Sequence, residues 1–226
     1  MLYRINYKFS KGYIAHPYWP EREKVVNVQK SSGMNRAKSD KNRIKALRDY
    51  LTTIGLTIED YDRLVALADR QFYTVADVEG AEIPIHVPHP AMAPIQNQII
   101  IPQHHIMSSL VNACDVATSA IRPCNMEQVR VLLNASAILT GKTKADGTWE
   151  RFARPTDGSG KILSNQRALR TNDYLATFNG YGTIEFDPDQ IAPTKLKNFL
   201  VFAGRDIGVG ASRKLGWGRF VPEFLD

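Results

Sequence analysis

Residues 191–224 read IAPTKLKNFLVFAGRDIGVGASRKLGWGRFVPEF, and the fold depends on how this stretch divides into elements. Pro193 suits a first helical turn, because its φ is already helical and its missing N–H is not needed there. Leu196, Phe199, Leu200 and Ala203 recur at the helical period and form one apolar face. Gly204 then supplies a left-handed stop. After it, Gly208, Gly210, Gly216 and Gly218 are interleaved with Arg205, Arg213, Lys214 and Arg219. Without a Cβ, a glycine backbone turns tightly and comes close to a ligand. Successive amides in such a loop form an anion-binding concavity, and arginine adds bidentate phosphate recognition. Trp217 and Phe220 offer flat faces on which a base stacks. From Phe220 the chain closes as an aromatic strand. The competing reading is a structural turn that needs glycine and nothing else.

Working outward, residues 2–9, LYRINYKF, alternate as a half-buried strand does, with Tyr3, Ile5, Tyr7 and Phe9 on one face. Residues 10–38 read as irregular, with a mobile loop around Ser31, Ser32 and Gly33. Ser39 caps a helix whose stripe is Ile44, Leu47, Leu51 and Ile54, and Gly55 ends it. Thr57 caps a second, with Glu59 and Asp60 at its positive end and a stripe of Tyr61, Leu64, Val65, Ala68 and Phe72. The proline-rich run at 73–100 suggests short strands near Ile83–Val87 and Gln98–Ile101. Pro102 leads into a helix over 104–121 with Ile106, Leu110, Ala113, Ala117 and Ile121 inward. Val129, Val131, Leu133, Ala135, Ala137 and Leu139 alternate as a long strand. Asp146-Gly147 and Asn179-Gly180 are hairpin turn signals, the second flanked by strands at 174–178 and 183–186. Setting aside 10–100 and 141–170, the order left is strand, helix, strand, strand, helix, strand. The expected fold is therefore α+β, a ferredoxin-like (RRM-like) βαββαβ domain over residues 1–226. A basic, helical-hairpin insertion at 10–100 and a long basic loop or hairpin at 141–170 elaborate it. Many unrelated proteins use this scaffold.

The chain's 226 residues are ample for a core, and no apolar run approaches the length of a membrane span. The N-terminus lacks a signal-peptide apolar core, which points to the cytoplasm and no membrane partner. Two cysteines, Cys114 and Cys124, are too few for a disulfide framework or a cysteine zinc site, and buried reduced thiols are expected. The net charge is +6 and the pI about 9.3. Between Arg22 and Arg48 there are nine Lys/Arg and two acids, between Lys142 and Arg170 seven and three, and between Lys195 and Arg219 six and one. Three basic segments in one chain point to a polyanion partner, against the plain alternative of solvated lysine-rich loops.

At this point the residues resemble a known family. AGRDIGVGASRKLGWGRF, with its G-x-G, arginine and G-aromatic-G-[KR]-aromatic elements, looks like the C-terminal glycine-rich loop of the RAMP superfamily of CRISPR-associated proteins. IIIPQHHIMSSLVNAC at 99–114 is similar to the proline-initiated helix of backbone subunits in RAMP-containing effector complexes, and also to that of RAMP-like proteins of phages and mobile elements. The likeness covers about 50 residues in detail and the rest as topology. The helical hairpin between the first strand and the first core helix matches nothing in the family. The resemblance implies a non-catalytic RNA-binding subunit of an antiviral ribonucleoprotein, with guide RNA, other effector subunits or further copies of itself as partners. Carried over by residue, it places Gly208, Gly210, Arg213, Lys214, Gly216, Gly218 and Arg219 at the nucleic-acid-binding loop, where Trp217 offers its stacking face. It makes Lys30, Arg36, Lys38, Lys41, Arg43 and Lys45 a guide-gripping basic arm.

RAMP processing nucleases use a histidine, so the resemblance also leaves open a metal-independent endoribonuclease. His104 and His105 at a helix start are its candidates, with a helix-start structural role as the alternative. A phage-encoded single-stranded DNA binder, or a protein-interaction factor, is a third reading. His16, and His86 with His89 among prolines, carry less, and no metal or cofactor is expected. Asp40 after Ser39 suits a first-turn acid better than a catalytic one. GSGK at 158–161 is no P-loop, since Pro155 and Ile162 occupy its required glycine and Ser/Thr positions. Gly208-x-Gly210 lacks the third glycine and preceding strand of a dinucleotide fingerprint, and no serine elbow is present.

Overall fold

The computed structural model describes residues 1–15, 20–78, 80–84, 87–88, 93–153 and 168–225. Its elements are β1 (Leu2–Phe9), β2 (Tyr13–Ile14), α1 (Pro20–Ser31), α2 (Asp40–Thr53), α3 (Ile58–Ala68), β3 (Tyr73–Thr74), β4 (Ile99–Ile101), α4 (Gln103–Val116), α5 (Met126–Leu132), β5 (Leu133–Ala135), β6 (Ile138–Leu139), β7 (Gly147–Ala153), β8 (Ala168–Leu175), β9 (Phe178–Phe186), α6 (Pro193–Phe202) and β10 (Phe220–Leu225). The class is α+β. Two compact units form, Met1–His16 with Phe72–Asp226, and Pro17–Gln71.

In the first unit the main sheet runs β10-β1-β9-β6-β4-β3, with β5 also on β9, and its paired strands are antiparallel. β1 sits between β9 and β10 because its alternation gives it one fully apolar face: Ile5, Tyr7 and Phe9 are buried. Phe9 stacks on Phe178 of β9 at 4.5 Å, and Tyr7 meets Phe220 of β10 edge-on at 5.2 Å. On the outer face Asn6 and Lys8 both donate to Glu223, at 2.9 and 3.1 Å, which fits the β1–β10 register. Pro222 is tolerated because β10 is an edge strand. Ile106, Leu110 and Ala113 of α4 and Leu196, Phe199 and Leu200 of α6 join Ile5, Phe9, Ile184 and Phe220 in one core. A second, three-stranded sheet runs β2-β8-β7.

The second unit packs α1, α2 and α3 around Val25, Val28, Leu47, Leu51, Tyr61 and Ala68. Ser39 accepts from the Asn42 amide at 3.3 Å, and Thr57 with Asp60 forms a capping box, so both sequence caps are used.

The elements depart from the sequence reading in several places. Residues 20–31 are helix α1, not irregular chain; only Val25 and Val28 face inward, too sparse a period to detect. Ile44 and Ile54 are 53% and 43% exposed, so the α2 stripe narrows to Leu47 and Leu51, and Phe72 belongs to the core of the other unit. The long strand expected at 129–139 is helix α5 followed by two short strands. Asn125 and Gln128 cap α5 reciprocally, an Asn-x-x-Gln signal that the apolar alternation masked. The helix expected over 104–121 ends at Val116. Neither turn signal makes its hairpin. Gly147 opens β7, which pairs with β8, and Asn179-Gly180 lies inside β9. Glycine is needed at 180 because a Cβ would stand 2.5 Å from Ile138 Cγ2. The Ile83–Val87 strand reading falls partly outside the described residues.

Leu51 is almost fully buried, so Leu51→Ala should destabilise the helical unit by about 2–5 kcal/mol. Ile44→Ala should change stability by less than about 1 kcal/mol. Urea titration of both variants, followed by proteolysis between residues 17 and 71, checks the order.

Candidate nucleic-acid interface

The apolar face of α6 runs past Phe202 into a π-type turn, Ala203–Ile207. Gly204 is not the left-handed stop. It sits where a Cβ would meet the Phe220 carbonyl oxygen at 2.3 Å, and the chain turns left-handed at Gly208 instead, at φ +73°. From there to Arg219 the loop is fastened down. The Ser109 hydroxyl of α4 donates to the Gly208 carbonyl at 2.6 Å. The Val209 amide donates to Gly218 at 2.9 Å, Ala211 to Ile14 at 2.8 Å and Gly218 to Gly12 at 2.7 Å. Gly218 is required by contact as much as by its φ of +73°, since a Cβ would stand 1.8 Å from the Val209 carbonyl oxygen. Gly210 lies against the ring of Tyr13 in the same way, at 2.4 Å.

These contacts redistribute the roles expected of the loop. Gly208 and Gly218 are buried and shape the chain crossing; Gly210 and Gly216 are partly covered. The amides of Gly208, Val209, Ala211, Leu215, Gly216 and Gly218 are engaged within the protein. Among the described residues the amides of Gly210, Ser212, Arg213, Lys214 and Trp217 have no such backbone partner. Ser212, a residue with a Cβ, is held left-handed at φ +57° and ψ +25° just before Arg213. That is a strained conformation of the kind found at ligand sites. Phe220 is a core residue and offers no stacking face.

The cations differ from one another. Arg205 is paired with Asp206 at 2.7 Å. Arg213 is half-buried; burial lowers its pKa, and the neighbouring Arg219 guanidinium lowers it further. Arg219 donates through Nη1 to the Arg205 carbonyl. Among the described residues no carboxylate pairs with Arg213, Lys214 or Arg219. Lys11, which sequence reasoning passed over, reaches the loop and donates to the Leu215 carbonyl. Trp217 is partly exposed and packs against Trp149 and Tyr174, with centroids 5.6 and 5.4 Å away.

The basic arm lies on the helical unit. Lys30 closes α1, Arg36 ends a 3-10 turn at Met34–Arg36, Lys38 follows it, and Lys41, Arg43 and Lys45 lie along α2. All six are exposed. Arg43 pairs with Asp40 at 3.3 Å, the first-turn acid role read for that aspartate.

His104 and His105 occupy the first turn of α4, with ring centroids 4.6 Å apart. His105 Nδ1 shares a hydrogen bond of 2.8 Å with the buried Tyr13 hydroxyl, and both rings lie edge-on to Tyr73. Partial burial pushes the His104 pKa down, opposed by Glu82. Cys114 and Cys124 are free thiols with pKa values raised by burial. Among the described residues no three metal-ligating side chains gather, and no helix is long and apolar enough to cross a membrane. His16, His86, His89 and the GSGK segment lie outside the described residues.

No protein-family model and no curated protein sequence matches this chain. Among solved structures, a chain of the Type III-B Cmr-beta complex bound to cognate target RNA is similar at TM-score 0.44 and 9% identity, covering 100% of this chain and 61% of that one. A chain of a CRISPR RNA-guided surveillance complex gives TM-score 0.39 and 6% identity over 99% and 67%, and one in a pre-nicking state 0.30 and 13% over 98% and 74%. The present chain thus spans about three fifths of the first of these. Likenesses at this level carry no functional argument.

Two outcomes follow from the loop geometry. Gly218→Ala should cost at least about 2 kcal/mol, since backbone must move. Gly216→Ala, facing only the flexible Lys11 side chain, should cost about 1 kcal/mol by denaturant titration. For His104, the unfolded chain takes up a proton near pH 6.5 and the folded protein only lower. Its neutral form therefore stabilises the fold above pH 6.5, and that contribution is lost as pH falls from 6.5 through the folded value. His104→Gln should flatten this part of the stability–pH curve.

Proposed function

We propose that this chain is a non-catalytic single-stranded RNA-binding subunit of RAMP type, acting in a CRISPR-like ribonucleoprotein alongside other subunits or further copies of itself. The observation that carries the reading is the pair Arg213 and Arg219. Arg213 is half-buried, the neighbouring Arg219 guanidinium adds to the cost of its charge, and no carboxylate among the described residues pairs with either. A folded protein keeps such a pair when an anion completes it. Lys11 and Lys214 add charge beside it, and the amides around Ser212 add donors. Phosphate groups repeated along a strand fit this arrangement, with orientation set by backbone contacts and little direct base readout.

Two further features support the reading. The order β10-β1-β9-β5/β6, with α4 preceding β5 and α6 preceding β10, supports reading the sheet unit as a ferredoxin-like βαββαβ domain, in which the loop would link the last helix and last strand. The exposed cations of the helical unit, Lys30, Arg36, Lys38, Lys41 and Lys45, form a second basic surface on a separate body. The assignment rests on these residues and not on the structural neighbours.

Arg213→Ala with Arg219→Ala should weaken single-stranded RNA of any sequence. It should also reduce the slope of log affinity against log salt by about 1.4, two phosphate contacts at about 0.7 each. Fluorescence anisotropy at several salt concentrations measures both. Wild-type affinity in the double variant removes the assignment. Tighter binding of DNA than RNA by the wild type turns it into a single-stranded DNA binder.

A further inference from the structure

The β7–β8 hairpin carries side chains that the phosphate-gripping loop does not account for. On β7, Gly147, Trp149 and Arg151 share one face, paired across β8 with Tyr174, Asn172 and Arg170 in turn. Gly147 keeps that face open: a Cβ there would meet the Tyr174 hydroxyl at 2.9 Å, so the tyrosine ring lies over bare backbone. Trp217 of the loop packs against both rings. The result is a three-ring platform that stands outside the main hydrophobic core, and each ring is partly exposed. The Arg151 guanidinium lies 5.4 Å from the Trp149 ring centroid. Its Nε is buried and has no hydrogen-bond partner among the described residues.

Ordinary packing does not explain this combination. A cluster that served only to fasten the hairpin would bury its rings and satisfy its polar atoms, because an unpaired buried donor is costly. Here the rings keep exposed surface and the guanidinium keeps an unused N–H. An aromatic face beside a cation, a few residues from an unneutralised arginine pair, is the arrangement that stacks an unpaired base while the phosphates are held next to it.

We infer that Trp149, Trp217, Tyr174 and Arg151 form a base-stacking subsite that takes one unpaired nucleobase of the strand whose phosphates sit at Arg213 and Arg219. The inference rests on the RNA-binding function proposed above and adds to it. Stacking needs an unpaired base, so the subsite selects single strands over duplexes, and every base has a face to offer, so it selects little among sequences. The Arg151 guanidinium, beside the Trp149 ring, adds its positive charge next to the nucleotide seated there. Trp149 and Arg151 come from a segment that the glycine-rich loop alone would never implicate.

The test compares two probes on the full-length protein, an oligouridylate and an abasic oligomer with the same phosphodiester backbone and length. Wild type should bind the oligouridylate roughly 5- to 150-fold more tightly than the abasic oligomer, the range expected for one stacked base. Only the oligouridylate should quench tryptophan emission. Trp149→Ala should remove that advantage, leaving affinity for the abasic oligomer and the salt slope unchanged. Arg151→Ala should lower oligouridylate affinity in the same selective way. If Trp149→Ala fails to fold, Trp149→Phe serves instead: it keeps a smaller ring and should retain part of the preference with weaker quenching. Equal wild-type affinity for the two probes, or equal losses on both in Trp149→Ala, overturns the subsite and leaves the phosphate loop standing. Failure of the wild type to bind either probe overturns the proposed function itself.

Discussion

The structure depends on one backbone crossing. Val209 and Gly218 lie so close that their main chains share a hydrogen bond, and a methyl group on residue 218 would overlap the Val209 carbonyl oxygen. The crossing is pinned from below by the Gly12 and Ile14 carbonyls, at the corner where β1 passes into β2, and from the side by Ser109 on α4. Both ends of the loop therefore meet the distant 12–14 segment through main-chain atoms, with the Ser109 hydroxyl as a side-chain tie. Main-chain contacts leave little freedom, so the two ends of the loop, at Gly208–Val209 and Gly218, are closely held.

That rigidity determines how the loop can work. Its glycines do not line an open cradle, because several of the amides they provide are already engaged. They act instead as the hinge points of a frame that holds Ser212 left-handed and presents Arg213, Lys214, Trp217 and Arg219 from defined places. Preorganisation of this kind matters for charged groups. The half-buried Arg213 guanidinium meets the like charge of Arg219, and among the described residues no ion pair offsets it. Arg205, by contrast, is answered by Asp206, and Lys142 by Asp146, so these surface cations have little left to offer a ligand.

The protein divides its cationic surface between two bodies of different character. In the helical unit the basic-arm cations are long, exposed side chains on a small three-helix core. In the sheet unit the loop cations Arg213 and Arg219 are partly buried and stand in the same loop as Trp217, which packs on the second sheet's Trp149 and Tyr174. The first arrangement suits diffuse attraction to a polyanion, the second a defined contact. Tyr13 joins the two halves of the sheet unit's chemistry, with its ring beneath Gly210 and its hydroxyl on His105.

Sequence periodicity by itself determined the strand at 2–9, the helices capped by Ser39 and Thr57, the proline-led helices α4 and α6 and the closing strand, because each has a complete local signal. It also located the basic segments. It could not determine which glycines serve turns and which serve close contact: Gly180 inside β9 and Gly204 beside Phe220 are explained only by what lies across from them. Nor could it show that Phe220 is core, that Lys11 reaches the loop, or that Trp217 meets Trp149 and Tyr174. Those facts depend on contacts between residues tens to hundreds of positions apart. Tertiary packing alone decides them, because local chain chemistry carries no record of a distant neighbour.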